Sequence, residues 1–407
     1  MRKIILIVSG VAIAATLFAA FLHDPSSEAG ASIDVVYPIK GSIFPPDFVA
    51  PTFLWHDNDS EADFWSIEIA NAQEDTTLLF DSAGDPPPSG EIDERCISSV
   101  NEIYVPPAED GPVHAWTPNA ETWQRIQQHC GQSEATVTIM GLRKDRPQKI
   151  LSTGGTAFSV SKDPVESPIF YRDMPLMPSE VKRGVIKPLA KEALPLVVWR
   201  LRDVSKPHSR IVMKDMPSCA NCHTFSGDGK TLGMDIDGPL GDKGAYAVVP
   251  ISKNMVIEKK DLITWNSFTN KPDGHKTIGF MSQISPDGQY VVTTLNESVH
   301  VVNFPNYKFV QVFYPTRGIL AYYSRQTDQI EALPGADDPA YVHCDPAWSP
   351  DGKYLVFARA QARDPYPEDR PLAKYPNDPN ELQIQYDLYR MPFNDGRGGV
   401  PEPIPGA

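Results

Sequence analysis

An octapeptide that occurs twice constrains this chain more than any other feature. Ser285-Pro286-Asp287-Gly288-Gln289-Tyr290-Val291-Val292 returns as Ser349-Pro350-Asp351-Gly352-Lys353-Tyr354-Leu355-Val356. A looser copy is Ser226-Gly227-Asp228-Gly229-Lys230-Thr231-Leu232-Gly233, and the three starts are 59 and 64 residues apart. Asp-Gly before an apolar run marks a hairpin, because glycine tolerates positive φ at little cost. Asp287 and Asp351 read as turn formers. Strand-like segments follow each copy, at Ala245–Ile251, Val299–Phe304 and Tyr386–Phe393. Hairpins repeated at such a period predict propeller blades, where each repeat buries its faces against its neighbours. Three unrelated Asp-Gly hairpins are the simpler alternative, but the shared block is longer than the turn requires.

Cys219-Ala220-Asn221-Cys222-His223 lies just before the first copy. Cys-x-x-Cys-His is the attachment pattern of c-type haem. Two thiols add to the porphyrin vinyl groups, and the adjacent imidazole reaches the iron as proximal ligand. A zinc site needs a second ligand pair, and none follows. A redox dithiol of the thioredoxin kind wants a βαβ setting, which the pattern lacks. Cys219, Cys222 and His223 are therefore expected to hold one covalent haem c per chain.

The haem motif sits inside a repeat, not in a helix-rich cytochrome domain. Cys222 precedes Ser226 by four residues, as Met281 precedes Ser285 and Asp345 precedes Ser349. Met281 is thus the first candidate for sixth iron ligand. His275, His343, Met234 and Met216 stay open as alternatives, each with core packing or solvated surface as its plainer role. An open sixth position would point to ligand sensing or peroxide chemistry.

The repeats from Leu194 onward resemble those of TolB-like propellers in exported bacterial proteins. The segment from Arg200-Leu201-Arg202-Asp203 through the haem motif to Asp235-Ile236-Asp237-Gly238 is similar to a family in which a c-type haem motif is fused into such a propeller. That resemblance implies a fold and a haem more than a reaction. It also implies a further Ser-Pro-Asp-Gly block after Pro403-Ile404-Pro405-Gly406-Ala407, which copies Ala332-Leu333-Pro334-Gly335-Ala336 at an offset of 71 residues. Truncation is the favoured expectation. Closure by a partner chain and a small irregular propeller are the alternatives.

The N-terminus agrees with export. Arg2 and Lys3 precede an uncharged run from Ile4 to Leu22, long enough to span a bilayer as a helix. Ala29 and Ala31 before Ser32 form a cleavage-like pattern. Residues 1–31 are thus read as a signal peptide or a signal anchor, with residues 4–22 as the inner-membrane contact. The expected location is the periplasm or cell envelope. A disulfide between Cys96 and Cys130 would suit that compartment. Cys344 reads as a buried, inert thiol.

The organisation expected from composition is all-β. With 40 prolines and 407 residues, the chain reads as short strands and turns in two or three domains. Residues 32–162 are read as a fibronectin type III or immunoglobulin-like sandwich, with period-2 alternation in Phe64–Ile69 and core tryptophans at Trp55 and Trp65. Ala120–His129 reads as a short helix. Residues 163–193 are read as a Pro-rich linker and residues 194–407 as the propeller.

A formal charge of −15 argues against nucleic acid or an anionic membrane surface as partner. It permits a basic redox partner. No nucleophile elbow, phosphate loop or zinc-protease helix occurs, so no catalytic residue is assigned. Asp364–Asn380 reads as a blade insertion forming a surface loop, with a cation or a partner as its alternative ligands. The leading expectation is electron transfer, rather than hydrolysis or group transfer. The alternatives are an interaction scaffold with a structural haem, and a haem-based enzyme or sensor.

Overall fold

The computed structural model describes residues 3–6, 31–71, 76–88, 92–96, 112–131, 133–176, 192–216, 220–237, 242–253, 255–272, 274–304 and 311–406. It is an all-β protein of two compact units. The first comprises Met1–Gly90, Val105–Tyr171 and Trp199–Val212; the second comprises Glu91–Tyr104, Arg172–Val198 and Met213–Ala407.

The first unit is a sandwich. Its strands are β1 (Lys3–Leu6), β2 (Ala31–Tyr37), β3 (Ser42–Phe44), β4 (Phe53–Asp57), β5 (Phe64–Asn71), β6 (Thr76–Ser82) and β7 (Val113–Trp116), then helix α1 (Ala120–Cys130), β8 (Ala135–Leu142) and β9 (Ser152–Val160). One layer runs β1-β6-β5-β8-β9, with β3 on β9; the other runs β2-β4-β7. Strand β2 joins the layers. Ala31 and Ser32 pair with β9, and Ile33 onward pairs with β4. Alternation makes this possible, since every second residue faces the space between layers. There Trp55, Ile67, Ile139 and Phe158 are fully buried. Trp55 and Trp65 pack edge-on at 5.8 Å, as core residues should. Helix α1 closes one side through Trp123, Ile126 and Cys130. The Asn119 side chain caps it by accepting from Thr122 N at 2.8 Å.

One sequence expectation changes here. Cys96 and Cys130 are buried in different units, and no disulfide joins them. Cys130 packs instead into the core of the sandwich. The linker read over 163–193 contains strand β10 (Ile169–Asp173), while residues 177–191 lie outside the described set. Strands β11 (Val198–Arg202) and β12 (Arg210–Met213) pair with β10 in a separate sheet, most of which clusters with the sandwich. Alternation at Val198–Arg202 announces a strand but not which sheet it joins. Of the apolar run at 4–22, Ile4–Leu6 lie in β1, parallel to β6, and the remainder is outside the described residues. No helix among the described residues is long and apolar enough to cross a membrane.

The second unit contains three four-stranded antiparallel blades of a propeller. Blade 1 is β13 (Ala220–Phe225), β14 (Thr231–Ile236), β15 (Ala245–Pro250) and β16 (Leu262–Thr264). Blade 2 is β17 (Phe280–Ile284), β18 (Tyr290–Asn303), β19 (Gln311–Ser324) and β20 (Gln329–Ala332). Blade 3 is β21 (Tyr341–Trp348), β22 (Tyr354–Gln361), β23 (Asp387–Pro392) and β24 (Glu402–Pro403). Val299–Phe304, expected as a separate strand, instead continues β18 as far as Asn303, and twelve residue pairs join β18 to β19. Register shifts between Leu295 and Val299 let the pairing resume past the blade.

Each repeated block forms the turn after a blade's innermost strand. In blade 2 the Ser285 hydroxyl donates to Asp287 Oδ1 at 2.5 Å and accepts from Tyr290 N at 2.9 Å. Ser349 does the same with Asp351 and Tyr354, and Ser226 with Asp228 and Thr231. Gly229, Gly288 and Gly352 take φ of 67°, 70° and 70°. The looser first copy is therefore a true repeat at the level of hydrogen bonds.

Blades pack face to face. Tyr246, Val248 and Trp265 of blade 1 meet Ile284, Val291 and Leu295 of blade 2. Val292, Leu320 and Tyr322 of blade 2 meet Leu355, Phe357 and Phe393, on the blade 3 side.

Candidate functional site

The Cys-x-x-Cys-His motif runs into the innermost strand of blade 1. Cys219 lies outside the described residues. Between Ala220 and His223 the strand sets three steps against two in β14, which makes a bulge containing Cys222. The same bulge recurs in β17 between Phe280 and Gln283, and in β21 between Cys344 and Ala347. These hold Met281 and Asp345, the residues matched to Cys222 by counting back from the turn serines. Met281 and Asp345 adopt φ of 55° and 52°, a left-handed conformation costly for side chains with a Cβ.

This repeat relation brings two sulfurs together. The Cys222 thiol donates to Met281 Sδ at 3.5 Å. Cys222 is half-buried, and that burial, with Asp235 and Asp345 nearby, pushes its thiol up to about 11. Thr224 turns the same way: its hydroxyl lies 2.8 Å from the Tyr246 hydroxyl and accepts from Ile284 N at 3.0 Å. His223 lies on the opposite face, its ring 6.0 Å from that of Phe225. Its partner across the ladder is Met234, which is 1% exposed. Of the sixth-ligand candidates, Met281 therefore stands beside Cys222 and Met234 beside His223. His343 is fully buried in β21, and burial drives its imidazole down to about 4, so the ring is neutral near pH 7. His275 is half-buried in the loop before β17.

The donor set suits covalent haem c in kind: a thiol, an imidazole and thioethers within one strand's reach. The arrangement does not suit it as it stands. Strand alternation sends Cys222 and His223 to opposite faces, whereas attachment and iron ligation need them on one side. An axial sulfur sits on the iron and a thioether sulfur at the macrocycle rim. The 3.5 Å sulfur contact is thus not a loaded geometry. Haem attachment would require residues 220–223 to leave the ladder, and the bulge at Asn221–Cys222 is where pairing is already interrupted.

Two carboxyls, the half-buried Asp235 and the buried Glu297, escaped sequence reading. Asp235, on β14, accepts from the Ser282 hydroxyl at 3.0 Å, and burial raises it to about 7. Ser282 contacts Thr293 in turn at 2.9 Å. Glu297 accepts from the Thr277 hydroxyl at 2.5 Å and from Ile278 N at 2.6 Å, pinning the loop that leads into β17; burial raises it to about 7 as well. Asp235 carried no signal beyond an acid within an apolar run. Glu297 carried none. At the other end of the inner strands, the three turns border a cleft of about 820 Å³, whose lining includes Asp287, Trp348, Asp351 and Phe393. Among the described residues no group of three His, Cys, Asp or Glu side chains is poised to hold a metal.

No protein-family model matches this chain, and no curated protein sequence does.

Proposed function

We propose that this chain carries one covalent c-type haem on its propeller and transfers electrons. Cys219 and Cys222 serve as the thioether attachments, His223 as the proximal ligand and Met281 as the sixth ligand. The observation that carries this reading is the intact Cys219-Ala220-Asn221-Cys222-His223 motif. The group, when bound, supplies a one-electron iron couple whose potential a histidine–methionine pair raises.

The chain's own residues have defined tasks in this reading. Asn221 and Cys222, unpaired at the bulge, swing out so that Cys222 and His223 share one face. The left-handed backbone at Met281 aims its thioether toward the first blade. The Thr224 hydroxyl, 2.8 Å from that of Tyr246, ties the inner strand to β15 just past the motif. The apolar run at 4–22, the resemblance to exported TolB-like propellers and the motif together support a periplasmic or envelope location, with a membrane contact only through the N-terminal segment. A charge of −15 suits a basic redox partner.

The test is co-expression with a c-haem maturation system, followed by denaturing electrophoresis and spectra with and without carbon monoxide. Haem that survives denaturation, with a low-spin reduced spectrum unchanged by carbon monoxide and a reversible one-electron couple, is expected. Absence of covalent haem overturns the reading. Covalent haem that binds carbon monoxide moves the function to catalysis or sensing.

A further inference from the structure

We propose that in the haem-free chain Cys222 and Met281 bind one copper(I) ion between their sulfurs. This goes beyond the haem reading and does not depend on it.

The sulfur contact is the starting point. A thiol proton lies between Cys222 Sγ and Met281 Sδ, 3.5 Å apart. Two sulfurs alone hold copper(I) in a near-linear site, where metal–sulfur bonds of about 2.3 Å set the sulfurs about 4.6 Å apart. A soft monovalent ion can take the proton's place once the two half-buried side chains part by about 1 Å from their present contact. Thiolate and thioether are the donors that select copper(I) over harder divalent ions.

On binding, the S–H bond breaks, the proton leaves to solvent, and a copper–sulfur bond forms without any change of oxidation state. Both side chains are half-buried, which leaves a path to the ion.

The experiment uses the full chain expressed without haem attachment and labelled with selenomethionine. It is reduced and titrated without oxygen with copper(I) carried by bathocuproine disulfonate. One copper per chain should transfer, and absorption at the copper edge should show a selenium neighbour. Met281→Leu should weaken uptake at least tenfold and remove that neighbour while its thermal unfolding stays that of a folded chain. No uptake, uptake unchanged in Met281→Leu, or copper with only light-atom and sulfur neighbours would each overturn the proposal. Haem attachment is read separately by electrophoresis, so either idea can fail alone.

Discussion

Cys222 is a poor nucleophile by placement. With its thiol raised to about 11, only about one molecule in a thousand is thiolate at pH 8, some hundredfold below an ordinary cysteine. Alkylation of Cys222 in the haem-free chain, followed by peptide mass spectrometry, should be correspondingly slow and should rise about tenfold per pH unit up to pH 10. Asp235 has the opposite kind of consequence. Its folded value of about 7 exceeds the usual carboxyl value, so between pH 4 and 7 the folded chain holds a proton that the unfolded chain has lost. Stability from this group is therefore present below pH 4, falls as pH rises to 7, and is level above. Asp235→Asn should remove that slope. In urea titrations it should exceed the wild type at pH 8 by up to about 4 kcal/mol, with little gain at pH 4. Neither property is legible in the sequence. Both come from strands far apart in the chain closing over one residue. The equivalence of Cys222 and Met281 was legible, because turn serines fix the count. The opposed direction of His223 was not, since the motif implies one arrangement and the strand imposes another.

Among the elements, the Ser-x-Asp-Gly turns were the most readable, because their hydrogen bonds are local. Ser285→Ala removes a hydroxyl that bonds Asp287 and two backbone amides, and should cost about 1–2 kcal/mol by chemical unfolding. The glycines separate two effects. Gly229 has φ of 67° with open space around a would-be Cβ, so Gly229→Ala should cost only the backbone term, about 1 kcal/mol. Gly279 has φ of 71°, and its Cβ would sit 2.2 Å from the Trp265 ring. Gly279→Ala should therefore be several times more costly, because blades 1 and 2 must part to admit it. A Gly279→Ala chain as stable as Gly229→Ala would show that this contact is soft. The long β18–β19 ribbon was missed for a physical reason: the register breaks at Asn296 and Glu297, which reads in sequence as a strand end, whereas the chain pairs again from Ser298 while Glu297 is held by Thr277 and Ile278.

Over the whole molecule, the sandwich and the blades keep separate cores, one built on Trp55, Ile67 and Phe158, the others on Val291, Leu320 and Phe357. Unfolding in urea should therefore show two transitions. Phe158→Ala should displace one and Phe357→Ala the other, each by about 3–5 kcal/mol. A common shift would mean that the units unfold together. Composition and alternation made both halves legible as β structure, while β11 and β12, which carry the same pattern as blade strands, pair with β10 in a sheet of their own. The recurring bulge has a wider consequence. It sets Cys222, Met281 and Asp345 in corresponding sockets of successive blades, each fastened by a turn that does not involve the socket residue. Chemistry and scaffold are thereby uncoupled: a duplicated blade arrives with its socket already aimed, and one codon change there exchanges a sulfur for an oxygen without rebuilding the sheet.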